Sequence, residues 1–247
     1  MLKTIDAYMY AFGEMRRRSA FWIPIALLYM ILGSIRDAFP EDWILKGLIA
    51  IPETLLFLGI VSVSICAITN KDYNFEDVIL KPIIYCKACI LSILAVLLGC
   101  IVLLLPTGFI LVLVHLANIP LGSLMMIPIF IALFLLSLFV FTKFFFSQFY
   151  FFDNRTSIMI SLKESWKNCT YKVSLSILLS GGWFILLNSP LLIVDMVLRD
   201  FYLHSSYLIM PVLQLSGAHM YMQLQNRKVK DMVEEDIVVH QDNGVCG

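Results

Sequence analysis

Charge is scarce in this chain. Only 15% of its 247 residues are Asp, Glu, Lys or Arg, against 60% that are apolar, and the mean hydropathy is +0.86. The shortage is uneven. The 55 consecutive residues from Ala88 to Thr142 contain none of the four, and His115 is their only titratable side chain apart from cysteine. A helix crosses a bilayer with about 20 mostly apolar residues. This stretch alone has room for two spans and excludes an ordinary soluble domain. Net charge is lacking too: 18 basic residues balance 18 acidic ones, which argues against a nucleic-acid partner. No Gly/Ser linker or low-complexity tract divides the chain. Paired-His metal motifs, nucleotide-binding loops and activated Ser or Cys constellations are missing, so no enzyme chemistry, cofactor or resident metal is expected.

What is present is a series of uncharged runs. Six can be marked out, at Ser19–Ile35, Gly47–Ile68, Ala88–His115, Leu121–Thr142, Val173–Val197 and Phe201–Asn226. They predict an all-α integral membrane protein: a six-helix domain over residues 19–226, an interfacial helix over 1–18 before it, and a charged, disordered tail over 227–247 behind it. Pro106-Thr-Gly108 kinks the third run or ends it, leaving Phe109–Asn118 as a re-entrant piece. With six spans, 15 of the 18 Lys and Arg residues fall on the side of the termini, and Arg36, Lys46 and Arg199 on the other. Basic loops stay inside, so both termini are expected on the cytoplasmic face of a cell membrane. Ser19–Ile35 follows a basic cluster but lacks a small-x-small cleavage site, so it reads as a retained span. The matches Asn154-Arg-Thr156 and Asn168-Cys-Thr170 to glycosylation acceptors fall on the cytoplasmic side and read as accidental.

Two edges are amphipathic. In the first 18 residues, Leu2, Ile5, Met9 and Phe12 form one stripe and Lys3, Asp6, Tyr10, Glu14 and Arg17 another. That pattern predicts a helix lying in the interface, with Arg16, Arg17 and Arg18 among lipid phosphates. After the fourth run, Asp153–Ser157 offers helix N-cap residues, and Ile158, Leu162 and Trp166 recur every four positions with Lys163 and Lys167 beside them. The spacing predicts a cytoplasmic surface helix over Ser157–Asn168, with the Trp166 ring at headgroup depth.

One resemblance runs through these residues. The run Thr142-Lys-Phe-Phe-Phe-Ser-Gln-Phe-Tyr-Phe-Phe-Asp-Asn154, the element Ser165-Trp-Lys167 and the last run's Pro211…Ser216-Gly-Ala218…Tyr221 resemble the multi-span membrane domain joined to some bacterial glycerophosphodiester phosphodiesterases. That domain also occurs alone. The resemblance implies an architecture: a surface helix ahead of the first span and a short helix between the fourth and fifth. It implies no phosphodiesterase activity, because nothing in these residues matches the soluble catalytic domain. Pro106-Thr-Gly108 also departs from the tighter Pro-Gly break of the stand-alone relatives.

The candidate sites follow from cost. A charge inside a span is expensive, which singles out Glu53 and Asp195. With His115 and with Asn188 ahead of Pro190, they are candidates for an outward-facing polar cavity, against the plainer reading that each is wetted at the outer boundary. Cys86-Lys-Ala-Cys89, with Cys66 and Cys169 at similar depth, is a weak zinc pattern that crowded small side chains explain as well. Gly181-Gly182 and Ser216-Gly-Ala218 are places for close helix approach. Two functions compete. The first is a non-enzymatic scaffold, or a lipid- or partner-binding component, touching anionic headgroups through Arg16, Arg17, Arg18, Lys163, Trp166 and Lys167. The second is a small transporter or permease subunit using the polar residues of kinked helices.

Overall fold

A computed structural model describes residues 2–39, 42–79, 123–154, 157–197 and 205–242, with helical positions at 84, 86–91, 93–94 and 97–98. The described residues are helical with no strand among them. The elements are α1 (Thr4–Arg17), α2 (Ser19–Ala38), α3 (Trp43–Ile68), α4 (Phe75–Ile79), α5 (Ser123–Phe144), α6 (Ser147–Asn154), α7 (Ile158–Asn168) and α8 (Tyr171–Val197). A 3-10 turn over Ser205–Ile209 then leads into α9 (Met210–Asp242). Among the described residues, three helices are long and apolar enough to cross a membrane: α2, α3 and Tyr171–Asp195 of α8. They coincide with the first, second and fifth uncharged runs. Helix α5 covers most of the fourth run. Residues 99–115 of the third run, His115 included, and 201–204 of the sixth lie outside the described residues, as does the whole of Phe109–Asn118.

Local chemistry sets the helix ends. Asp42 caps α3 by accepting from the Ile44 and Leu45 amides at 3.1 and 3.0 Å. At the other end Asn70 takes φ 51°, and the Lys71 amide donates back to the Cys66 carbonyl at 3.0 Å, a Schellman closure built on one of the few side chains that tolerate left-handed backbone. Ser157 caps α7 through the Ile160 amide at 3.4 Å, as the sequence leads one to expect. The tail departs from expectation. Helix α9 continues through the charged residues after Asn226 to Asp242, so residues 227–242 are helical. No Gly or Pro occurs between Gly217 and Gly244 to interrupt it.

Helix α3 lies at the centre. Its first half leaves Trp43, Ile44, Leu48 and Ile51 exposed, whereas its second half, from Glu53 to Ala67, is largely buried and contributes to all three core clusters. Leu56, Ile60 and Val63 pack with Trp22, Ile25 and Tyr29 of α2 and with Val212 and Leu215 of α9. Val61 and Ile65 meet Phe146, Phe149 and Tyr221. Leu58 meets Leu91, Phe151 and Leu162. Gly59 lets α4 approach, since a Cβ there would stand 2.3 Å from the Val78 carbonyl oxygen.

Candidate functional site

Helix α1 covers Thr4–Arg17, where the sequence predicts an interfacial helix, and it has three faces rather than two. Ala7, Tyr8, Ala11 and Glu14 face inward, and α1 packs onto α9, α2 and α8. Two alanines allow the close approach, and the Tyr8 hydroxyl donates to the Ser180 carbonyl of α8 at 2.8 Å. The amides of Leu2 and Lys3 find Ser176 Oγ at 3.0 Å and Gln223 Oε1 at 2.8 Å, so neighbouring helices satisfy the chain where it enters α1. Leu2, assigned to the lipid-facing stripe, is instead buried in the core. Ile5, Met9 and Phe12 remain outside, 60%, 68% and 43% exposed. The sequence reading missed the docking face because alanines at 7 and 11 leave little trace in a hydrophobic pattern.

Glu14 corrects the polar stripe. It is 3% exposed. Tyr73 Oη donates to its Oε1 at 2.7 Å, Arg17 approaches Oε2 at 2.6 Å and Arg18 lies 3.8 Å from Oε1. Arg18 also covers the Tyr73 ring, 4.3 Å from its centroid. Burial, with the hydrogen bond to Glu14 next, raises the Tyr73 hydroxyl above the usual tyrosine value. The three consecutive arginines are therefore unequal. Arg17 and Arg18 serve a buried carboxylate, whereas Arg16 is exposed and ion-pairs with no described residue.

Helix α7, in the second segment predicted to lie on the surface, divides its expected stripe. Leu162 is buried against Leu58, Leu91 and Phe151, with Ile158 partly so. Ser161 and Ser165 share that face, and their small size brings the helix close. Trp166 stays half-exposed beside exposed Met159, Lys163 and Lys167. Its ring lies 5.4 Å from that of Phe144 and 5.5 Å from Lys143 Nζ. Ser165 Oγ donates to the Lys143 carbonyl at 2.7 Å, and the Lys143 ammonium donates to the Cys169 carbonyl. The Ser165-Trp-Lys167 element thus clamps the end of α5 to the start of α8. The other residues that carry the resemblance also meet. Tyr221 Oη donates to Asp153 at 2.9 Å, and Gly217 makes room for Phe149 and Phe145, whose rings would stand 3.0 and 3.3 Å from a Cβ. Burial pushes the neighbouring Tyr150 hydroxyl up to about 12 and raises the Cys169 thiol.

Glu53, expected to line a polar cavity, is 6% exposed and held in an ion pair. Arg36 Nη1 reaches its two oxygens at 2.9 and 2.7 Å. Arg36 also donates from Nε to Asp37 at 3.0 Å and from Nη2 to Tyr207 Oη at 2.6 Å, and Tyr207 donates to Asp37 at 3.1 Å. Gly33 makes this possible, since its Cβ would fall 2.5 Å from the Tyr207 ring. The network ties α2, α3 and the 3-10 turn together. The sequence held a signal for it: a carboxylate inside a span needs a cation, and Arg36 stands on the other arm of the α2–α3 hairpin. Asn188 is 8% exposed, and its carbonyl oxygen has no described hydrogen-bond partner. Asp195 is half-buried on α8. No described contact brings Asn188 to Glu53, and His115 lies outside the described residues. Cys66, Cys86, Cys89 and Cys169 do not gather, and no group of three metal-binding side chains occurs among the described residues.

No protein-family model matches the chain, and neither does any curated protein or solved structure.

Proposed function

We propose that this protein is a six-span component of a cell membrane, with both termini cytoplasmic, that acts as a non-enzymatic scaffold by engaging lipid or a partner protein through its cytoplasmic surface helices. One observation carries the reading. Helices α1 and α7 are each anchored firmly to the bundle, yet each turns an apolar face edged with basic residues outward. A helix needed only to join two spans, as α7 would be, has no use for exposed Met159, and α1, which joins none, exposes Met9 in the same way. The positive-inside asymmetry supports the orientation, and the uncharged runs support the count. For the transport reading Glu53 would be central, but its pairing with Arg36 gives it a bracing role. Native mass spectrometry of the protein in a mild detergent tests the proposal. A retained anionic lipid or a stoichiometric protein is expected. A bare monomer would overturn the scaffold reading.

A further inference from the structure

The three-faced build of α1 leads further, and this inference rests on the reading just given. Ile5, Met9, Phe12 and Arg16 follow one another at spacings of four, three and four, so they share one helix face. That face is apolar for about two turns and ends, one turn on, in a cation that no described residue neutralises. One residue, Arg18, separates α1 from α2, a helix long and apolar enough to cross the membrane. The end of α1 that carries Arg16 is thereby held at the level where α2 enters the bilayer. An apolar surface at that depth meets acyl chains, and a cation beside it meets phosphate.

We infer that Arg16, alone of the three arginines, forms with Ile5, Met9 and Phe12 a site for an anionic phospholipid. The acyl chains lie along the stripe and the headgroup phosphate sits at Arg16. Arg17 and Arg18 are engaged by Glu14 and hold the helix in its docked position. The occupant is lipid rather than protein because the stripe adjoins a span and its one polar contribution is a cation complementary to phosphate. Water-facing Asp6 and Arg17 lie on other faces of the helix.

The test titrates the purified full chain in neutral detergent with phosphatidylglycerol and with phosphatidylcholine, read by native mass spectrometry, and follows thermal unfolding in the same samples. Arg16→Gln should weaken phosphatidylglycerol retention about fivefold, the weight of one basic side chain near an anionic surface, with an unchanged midpoint. Arg16→Lys should restore it. Arg18→Gln should lower the midpoint and keep the lipid. Inorganic phosphate should not displace phosphatidylglycerol, since the stripe contributes to binding. Equal losses in the Gln variants, equal retention of the two lipids or displacement by phosphate would overturn the assignment. A photoreactive benzoylphenylalanine in place of Met9 should give lipid adducts in native membranes. Cross-linking to a protein there would refute the lipid occupant and leave the scaffold reading standing, whereas a chain that retains neither lipid nor protein would end both.

Discussion

A carboxylate away from water keeps its charge only where cations and donors converge on it, and two glutamates here meet that demand differently. Glu53 shares Arg36 with Asp37, so one guanidinium serves two acids. Glu14 uses two arginines and a tyrosine. Neither pair is simple stabilisation, because desolvation offsets much of the attraction. The loss of one partner is costly all the same. Tyr73→Phe removes the neutral donor to Glu14 and should destabilise the protein by about 1.5–3 kcal/mol, the range for hydrogen bonds to charged groups; thermal unfolding in detergent measures it. An unchanged midpoint would mean that the arginines alone satisfy the carboxylate. Of this cluster the sequence exposes Arg17 and Arg18 readily. It places Glu14 on the wet face, because a polar residue at a helical spacing looks exposed until its partner, 59 residues away, is known.

Among elements, what distinguishes contact from exposure is often a missing side chain. Gly59 admits the α4 backbone, whereas Gly181 and Gly182 have nothing within 4 Å of an added Cβ. Gly59→Ala should therefore force α4 away and cost about 1–3 kcal/mol, as overpacking does. Gly181→Ala should be neutral or stabilise slightly through helix propensity. Comparing the two midpoints checks this, and equal effects would show that α4 yields freely. The expectation that Gly181-Gly182 serves close helix approach finds no described neighbour, while Gly217 of the other small patch does receive Phe149. Composition alone does not separate these cases. The cap of α7 was easier to read, since Ser157 acts on an amide three residues away.

For the molecule as a whole, the asymmetry of Lys and Arg makes a topological prediction. Epitopes placed after Met1 and after Gln241 should both be reached only when the cytoplasmic face is opened. One between Asp37 and Trp43 should be reached from the other side of intact cells. Termini on opposite faces would show that an odd number of helices crosses and would undo the six-span arrangement.

Runs of apolar residues, a cap beside a helix start and a charge census are local or additive properties. They mark the all-helical class, the extents of α2, α3 and α8, and the place of α7 with no knowledge of neighbours. Which face of α1 docks, which arginines answer Glu14 and which one answers Glu53 all depend on groups from separate helices arriving within about 3 Å of one another. Directional hydrogen bonds and close packing act only at such range, so those decisions belong to the packed helices.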